Sequence, residues 1–280
     1  MKIRVGARGS LLSQAQVQIV LKAIQAKRPD ITFECVILKT KGDLILHKSL
    51  AEIGGKGLFV DEFETALKNH EIDIAIHSGK DLPALSSSEF EFSVLKRGAV
   101  HDVLLKRTDD VHVIGTSSPR RKALLQRFFP DTEVKLLRGN INTRIEKLKA
   151  GNYDAILLAA AGLERLHPDV SGLTVVPLDP DEFIPASCQG ILTIEYLKDS
   201  PWKEVFACIH DEETYEAFLL ERSVMQKLNA SCHDAIGAYS PIENGERMIY
   251  SFYHQSPIYK EKAEDLSKLV KELKEHADGK

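Results

Sequence analysis

Two arginine-bearing segments, Gly115-Thr116-Ser117-Ser118-Pro119-Arg120-Arg121 and Leu137-Arg138-Gly139-Asn140-Ile141-Asn142-Thr143-Arg144, carry the strongest chemical signal in the sequence. Each reads as a strand end running into a helix start. Ser117 or Ser118 can cap a helix whose first turn tolerates Pro119, because proline removes only an N–H that has no partner there. Arg120 and Arg121 fall in that same turn. Free N–H groups, the positive end of the helix dipole and a guanidinium fork together favour a carboxylate or a phosphate.

Two further strand ends offer complementary groups: Arg8 and Ser10 after the first strand, and Lys80 with Asp81 after the third. With Arg165 these make a set of cations around a single acid, Asp81, in a cleft that two facing α/β units would form. Clustered like charges repel, so such a set points to a polyanionic ligand rather than to stability. The plainer alternatives are solvated helix-end arginines and a surface Lys80–Asp81 pair. Surrounded by positive charge, Asp81 is expected to stay ionised, fit to stabilise a cationic intermediate or to move protons. Gly54-Gly55-Lys56-Gly57-Leu58-Phe59 is glycine-rich, but it lacks the spacing and the Lys-Ser/Thr ending of a nucleotide-phosphate loop, and is expected to act as a flexible loop or lid.

The 4 cysteines, Cys35, Cys188, Cys208 and Cys232, are scattered, with neither a C-x-x-C pair nor histidines at ligand spacing, so a zinc site and a disulfide framework are not expected. Cys35 and Cys208 read as small core hydrophobes. Cys232 sits in the short polar stretch Asn229-Ala230-Ser231-Cys232-His233-Asp234, where a thiol can be reached by a reactant.

The elements that must position these groups follow from periodicity. Residues 2–7 read as a buried strand, followed by a helix from about Ser10 with Val17, Val20, Leu21 and Ile24 on one face, a strand at 33–38, a helix from Phe59 to Leu67 and a short strand at Asp73–Ile76. This βαβαβ order implies a parallel sheet, with ligands beyond the carboxyl ends of its strands. The pattern restarts with a strand at Val113-Ile114, helix 118–129, strand 134–137, helix 141–150, strand 154–158 and a small-residue turn Ala159-Ala160-Ala161-Gly162. Pro177 to Pro185 reads as a crossing segment, and the strand from Gly190 to Glu195 as a return to the first sheet. A third, mixed unit has a helix from about Glu213, strands near 236–242 and 247–253, and a C-terminal helix with Leu266, Leu269, Val270 and Leu273 inward.

With 280 residues, 37 basic and 41 acidic side chains and a net charge of −4, the chain is long enough for two or three domains and is not a nucleic-acid-coating protein. No run of ~18 apolar residues suggests a membrane span. The expected setting is the cytoplasm, with a small anionic partner, no nucleic acid and no membrane.

The sequence resembles the porphobilinogen deaminase family in order along nearly its whole length: Ala7-Arg8-Gly9-Ser10, Lys41-Gly42-Asp43, Gly54 to Phe59, His77 to Pro83, Gly115 to Arg121, Leu137 to Arg144, Tyr153 to Leu157, Ala161 to Leu166, Cys188-Gln189-Gly190, and Cys232 with Ile236-Gly237. The resemblance implies an α/β fold of two periplasmic-binding-protein-like α/β domains plus a small α+β C-terminal domain. Residues 1–96 with 190–209 would form the first, carrying the catalytic acid; 97–189 the second, carrying the arginines; 210–280 a shortened third, for cofactor attachment.

The implied activity is polymerisation of porphobilinogen, with loss of ammonia, into the linear tetrapyrrole hydroxymethylbilane, a step of porphyrin and heme biosynthesis. It implies a dipyrromethane cofactor joined by a thioether to Cys232, with Asp81 as the catalytic carboxylate. Ser10, Lys80, Thr116, Ser117, Arg120, Arg121, Arg138 and Gln189 would hold the cofactor, and Arg8, Arg144 and Arg165 the substrate, in a monomer without a metal. The cofactor loop departs from the usual Gly-Gly-Cys-x-x-Pro-hydrophobic-Gly, and Cys188 stands where glycine is usual. These departures define the alternative, a non-catalytic polycarboxylate-binding paralogue lacking the cofactor. Asp81 speaks against it, since carboxylate binding gains nothing from a nearby negative charge.

Overall fold

The computed structural model describes residues 1–39, 60–231 and 233–277. Lys41-Gly42-Asp43, the Gly54 to Phe59 segment and Cys232 lie outside the described residues. The described chain divides into two compact units, one of residues 1–98 with 191–219 and one of residues 99–190 with 220–280.

In the first unit β1 (Lys2–Arg8) buries alternate residues Ile3, Val5 and Ala7. It runs straight into α1 (Leu11–Lys27), whose N-cap Ser10 accepts from the Ser13 N–H and whose Val17, Val20, Leu21 and Ile24 pack inward at helical spacing. β2 (Thr32–Leu38) lies parallel on β1. Then come α2 (Asp61–Lys68), β3 (Ile74–Ser78), a single tight helical turn at Gly79–Asp81, and β4 (Phe90–Val94).

The second unit follows with β5 (Asp102–Lys106), β6 (Val113–Gly115), α3 (Pro119–Phe128), β7 (Glu133–Lys135), α4 (Ile141–Lys149), β8 (Ala155–Ala159), α5 (Ala160–Leu166) and β9 (Thr174–Pro177). The chain returns to the first unit as β10 (Leu192–Leu197), which pairs antiparallel with both β3 and β4. After α6 (Lys203–Ala207) comes α7 (Glu212–Lys227), whose residues from Leu220 onward belong to the second unit. The C-terminal part holds β11 (Ile236–Tyr239), β12 (Ile242–Glu243), β13 (Glu246–Tyr253), β14 (Tyr259–Lys262) and α8 (Leu266–Ala277).

The α/β class expected from the sequence holds, but neither large sheet is purely parallel. Their orders are β2-β1-β3-β10-β4 and β7-β6-β8-β5-β9, with β10 antiparallel in the first and β5 antiparallel to β8 and β9 in the second. Reversing one strand brings its first residues to the edge where its neighbours end, which matters for the site below. The small sheet is antiparallel, β11-β13-β12 with β14 on β13. Ile3, Val5, Val20, Ile24, Ile74, Ile194 and Phe206 centre the first core. Leu104, Ile114, Leu124, Leu125, Ile184 and Phe252 centre one in the second, each buried aliphatic contributing about 1.5–3 kcal/mol.

Some expectations need correction. Ala160, Ala161 and Gly162 do not form a turn but the first turn of α5, small enough for Ile141 to pack against Gly162. Cys35 and Cys208 are exposed rather than in the core, the first on an edge strand and the second just past α6; of the described cysteines, Cys188 is the buried one. Among the described residues no helix is long and apolar enough to cross a membrane.

Candidate active site

The second unit assembles its arginines at the carboxyl ends of β6 and β8. Gly115 ends β6 with the Tyr153 ring so close that an added Cβ would sit 2.8 Å from it. Ser118 is the N-cap of α3: its hydroxyl accepts from the Arg121 N–H at 3.4 Å, and Pro119 occupies the first turn. Ser117 is half-buried beside it, and Thr116 is buried, its hydroxyl accepting from the Ser118 N–H at 3.2 Å.

Capping at this point turns Arg120 and Arg121 inward, onto an acid not singled out from the sequence. Arg120 Nη2 donates to Asp102 Oδ2 at 2.6 Å and Arg121 Nη2 to Asp102 Oδ1 at 2.7 Å, with Asp102 wholly buried. Gln189 Nε2 donates to the same Oδ1 at 3.0 Å and to the Val100 carbonyl at 2.7 Å. The remaining fork positions reach carbonyls, Arg120 Nη1 that of Ile184 at 2.7 Å and Arg121 Nη1 that of Leu157 at 2.9 Å. Burial alone pushes the Asp102 carboxyl up, but the charges and hydrogen bonds of Arg120 and Arg121 outweigh it and hold the group well below the usual carboxylate range. The expectation of a single acid, Asp81, is thus corrected within the second unit, whose buried arginines close on Asp102.

The array is nevertheless unsaturated. Arg121 Nε is buried and has no hydrogen-bond partner among the described residues. Arg144, whose Nε donates to the Gly139 carbonyl at 2.7 Å, has its pKa lowered to about 10, first by burial and then by the charges of Arg121 and Arg138. Arg138 is half-buried at the entry to α4, where Asn140 caps the helix by accepting from the Thr143 N–H. Arg165 Nη2 donates to the Gly190 carbonyl at 2.5 Å, and burial lowers its pKa. An orphaned buried donor among mutually repelling guanidiniums fits an anionic group such as a carboxylate.

Cys188 lies beside this array with φ 60, in the left-handed region that favours glycine. Its N–H donates to Glu221 Oε2 at 2.6 Å, and Glu221 Oε1 accepts from the Ser240 N–H at 2.8 Å.

In the first unit the site residues gather at the carboxyl ends of the adjacent parallel strands β1 and β3. The Arg8 N–H donates to Ser13 Oγ at 3.1 Å in the first turn of α1. Gln16 Nε2 of that helix donates to Ser78 Oγ at 2.8 Å, tying α1 to the end of β3. Lys80 and Asp81 follow in the tight turn, Lys80 half-buried and Asp81 exposed. Behind this turn lie two more residues that were not singled out: His77 Nε2 meets Glu195 Oε2 at 2.9 Å, both side chains buried.

Asp102 and Glu195 carry a faint sequence signal. Asp102 precedes the apolar run Val103-Leu104-Leu105, and Glu195 sits between Ile194 and Tyr196; a carboxylate beside such buried residues must find a partner. Among the described residues no group of histidine, cysteine and carboxylate side chains could hold a metal ion.

Comparison with known proteins supplies the context for this geometry. Residues 3–204 match the family model described as porphobilinogen deaminase, dipyromethane cofactor binding domain. A porphobilinogen deaminase of Acetivibrio thermocellus is 40% identical over 268 residues, covering 93% of this chain and 91% of that protein. A porphobilinogen deaminase of Clostridium beijerinckii is 40% identical over 261 residues, covering 90% and 88%. Among solved structures, the BenM effector-binding domain with its effector benzoate aligns at a TM-score of 0.45 and 19% identity, covering 78% of this chain and 94% of that one.

Proposed function

The chain belongs to the porphobilinogen deaminase family, and we propose that the residues described above divide that family's reaction among them. The enzyme joins porphobilinogen units, with loss of ammonia, into the linear tetrapyrrole hydroxymethylbilane on a dipyrromethane cofactor. When bound, that cofactor supplies the pyrrole end from which the chain grows.

The observation that carries the reading is the buried Nε of Arg121, without a hydrogen-bond partner among the described residues, in a guanidinium whose charge acts with that of Arg138 on Arg144. Each porphobilinogen ring bears an acetate and a propionate, so a growing chain demands donors of this kind in number. Thr116, Ser117, Arg121 and Arg138 hold cofactor carboxylates in this reading, with Ser10 and Lys80 contributing from the first unit. The bonds of Arg120 and Gln189 to Asp102 support a share exerted by fixing Arg121. Arg8, Arg144 and Arg165 take substrate carboxylates. Asp81 acts on the ring itself: as ammonia leaves the aminomethyl carbon of porphobilinogen, positive charge spreads onto the pyrrole nitrogen, and an ionised carboxylate there lowers the barrier.

Cys232 carries the cofactor through a thioether in this proposal. Residues 1–96 with 190–209 serve as the catalytic-acid domain, 97–189 as the anion-binding domain and 210–280 as the attachment domain, in a cytoplasmic monomer. Supplying porphobilinogen to the cofactor-loaded protein tests the function: one ammonia per unit consumed and release of hydroxymethylbilane are expected. A folded protein that takes up no cofactor when it is supplied, and binds porphobilinogen without consuming it, would instead be the non-catalytic polycarboxylate-binding paralogue.

A further inference from the structure

Glu195 is wholly buried inside the first sheet, on β10 between β3 and β4, and one of its oxygens, Oε1, has no hydrogen-bond partner among the described residues. Its other oxygen meets His77 Nε2 at 2.9 Å. Both face the side of the sheet covered by α2: His77 is opposite Thr193, Glu195 is opposite Ala75, and the Phe63 ring stands edge-on to the imidazole at 5.2 Å. Among the described residues, Glu64 of the same helix feels the charges of Glu195 and His77, and also those of its helix neighbours Asp61 and Lys68. Glu64 is pushed up to about 7, by burial first and then by the charges of Glu195 and Asp61.

A carboxylate placed this way is a poor device for stability. An apolar pair of the same volume in a central strand is generally as stable or more so, because the desolvation of charge is avoided. What the pair does have is position. His77 lies on β3 four residues before Asp81, and the intervening backbone is bound to the strand that carries Glu195. Thr193 Oγ1 donates to the His77 carbonyl at 3.3 Å, and the Gly79 N–H donates to the Ile191 carbonyl at 2.9 Å. The side-chain pair adds a directional link to this backbone pairing immediately before the Gly79–Asp81 turn.

We propose that His77 and Glu195 form a buried positioning pair that sets the turn bearing Asp81. The pair touches no substrate; it acts through the carboxylate four residues on, and so rests on the reading of Asp81 as the catalytic acid. A shift of that carboxylate of about 1 Å is enough to cost a hundredfold in rate.

The experiment compares Glu195→Gln, His77→Gln, the double variant and Asp81→Asn in the cofactor-loaded enzyme. Each single pair variant should lower kcat for porphobilinogen about ten- to a hundredfold, with KM within about twofold and the bound cofactor mass unchanged. The double variant should be no slower than the slower single one, because the two side chains act as a unit. Wild-type kcat per folded enzyme in both singles, or losses that multiply in the double, would overturn the proposal. Should Glu195→Gln fail to fold, the kcat and KM of His77→Gln decide alone. If Asp81→Asn is inactive while the pair variants turn over normally, only the pair fails. If Asp81→Asn turns over normally, the reading of Asp81 fails and the pair with it.

Discussion

Arg121 Nη2 donates to Asp102 Oδ1 at 2.7 Å with both side chains buried, while Nε of the same guanidinium has no hydrogen-bond partner among the described residues. In the proposed reading Asp102 holds the guanidinium rigid from behind, and its Nε edge is the one offered to a ligand carboxylate. A rigid donor spends little conformational entropy on binding, which is how a preformed anion site gains affinity.

Replacing Asp102 with Asn should destabilise the fold by about 3–5 kcal/mol, since two buried guanidiniums lose their counter-ion. Thermal or denaturant unfolding measures this. The pKa of Asp102 is depressed in the fold, so its contribution is complete above the usual carboxylate range and is lost progressively as pH falls from that range down through its lowered folded-state value. The variant should therefore approach the wild type in stability under acid conditions.

Arg138→Ala and Arg121→Ala should separate binding from architecture. Arg138 is half-buried where Arg121 is buried, so its loss should lower the melting temperature less than the loss of Arg121. Cofactor loading or the first additions should nevertheless slow about ten- to a hundredfold, the worth of a charge-assisted hydrogen bond. Arg121→Ala should show the same defect together with a lower melting temperature, because it also leaves Asp102 short of a partner. Wild-type loading kinetics in both would return these arginines to a structural role.

Asp81→Asn should lower turnover of porphobilinogen by about a hundredfold or more while the cofactor stays attached. Steady-state kinetics with intact-mass measurement on the same sample checks both halves.

Glu64 supplies a pH test. Its pKa is raised to about 7 from 4.5, so the stability that its proton confers is complete below 4.5 and is lost as pH rises towards 7. Glu64→Gln should therefore gain on the wild type across that interval. The gain should be about 1–2 kcal/mol after allowance for the solvent screening of a half-exposed group, read as the difference in unfolding free energy at the two ends.

The sequence makes some of this legible and hides the rest for definable reasons. Val17, Val20, Leu21 and Ile24 recur at helical spacing, and Ser118-Pro119 is a helix start by chemistry alone, so α1 and α3 and the arginines that α3 carries can be placed. Asp81 is visible because a charged turn after a short apolar strand falls where ligands bind. Asp102 is not. It opens β5, and only the antiparallel pairing of β5 with β8 puts it opposite Ala159, at the edge where Arg120 and Arg121 begin. Glu195 reaches His77 in the same way, through the reversed strand β10. Local pattern reports what an element is, and strand direction within a sheet is set by pairing across distant segments. The first turn of α5 escapes because alanine and glycine leave no periodicity to read.

Attachment of the primer to Cys232 is the centre of the proposed reaction. Intact-protein mass spectrometry of the enzyme isolated with the cofactor supplied should show the chain heavier by one dipyrromethane, with the added mass on a proteolytic peptide containing Cys232, and Cys232→Ser should lack it. A folded protein that remains at the mass of the bare polypeptide, or an adduct that maps to Cys188, would contradict the account.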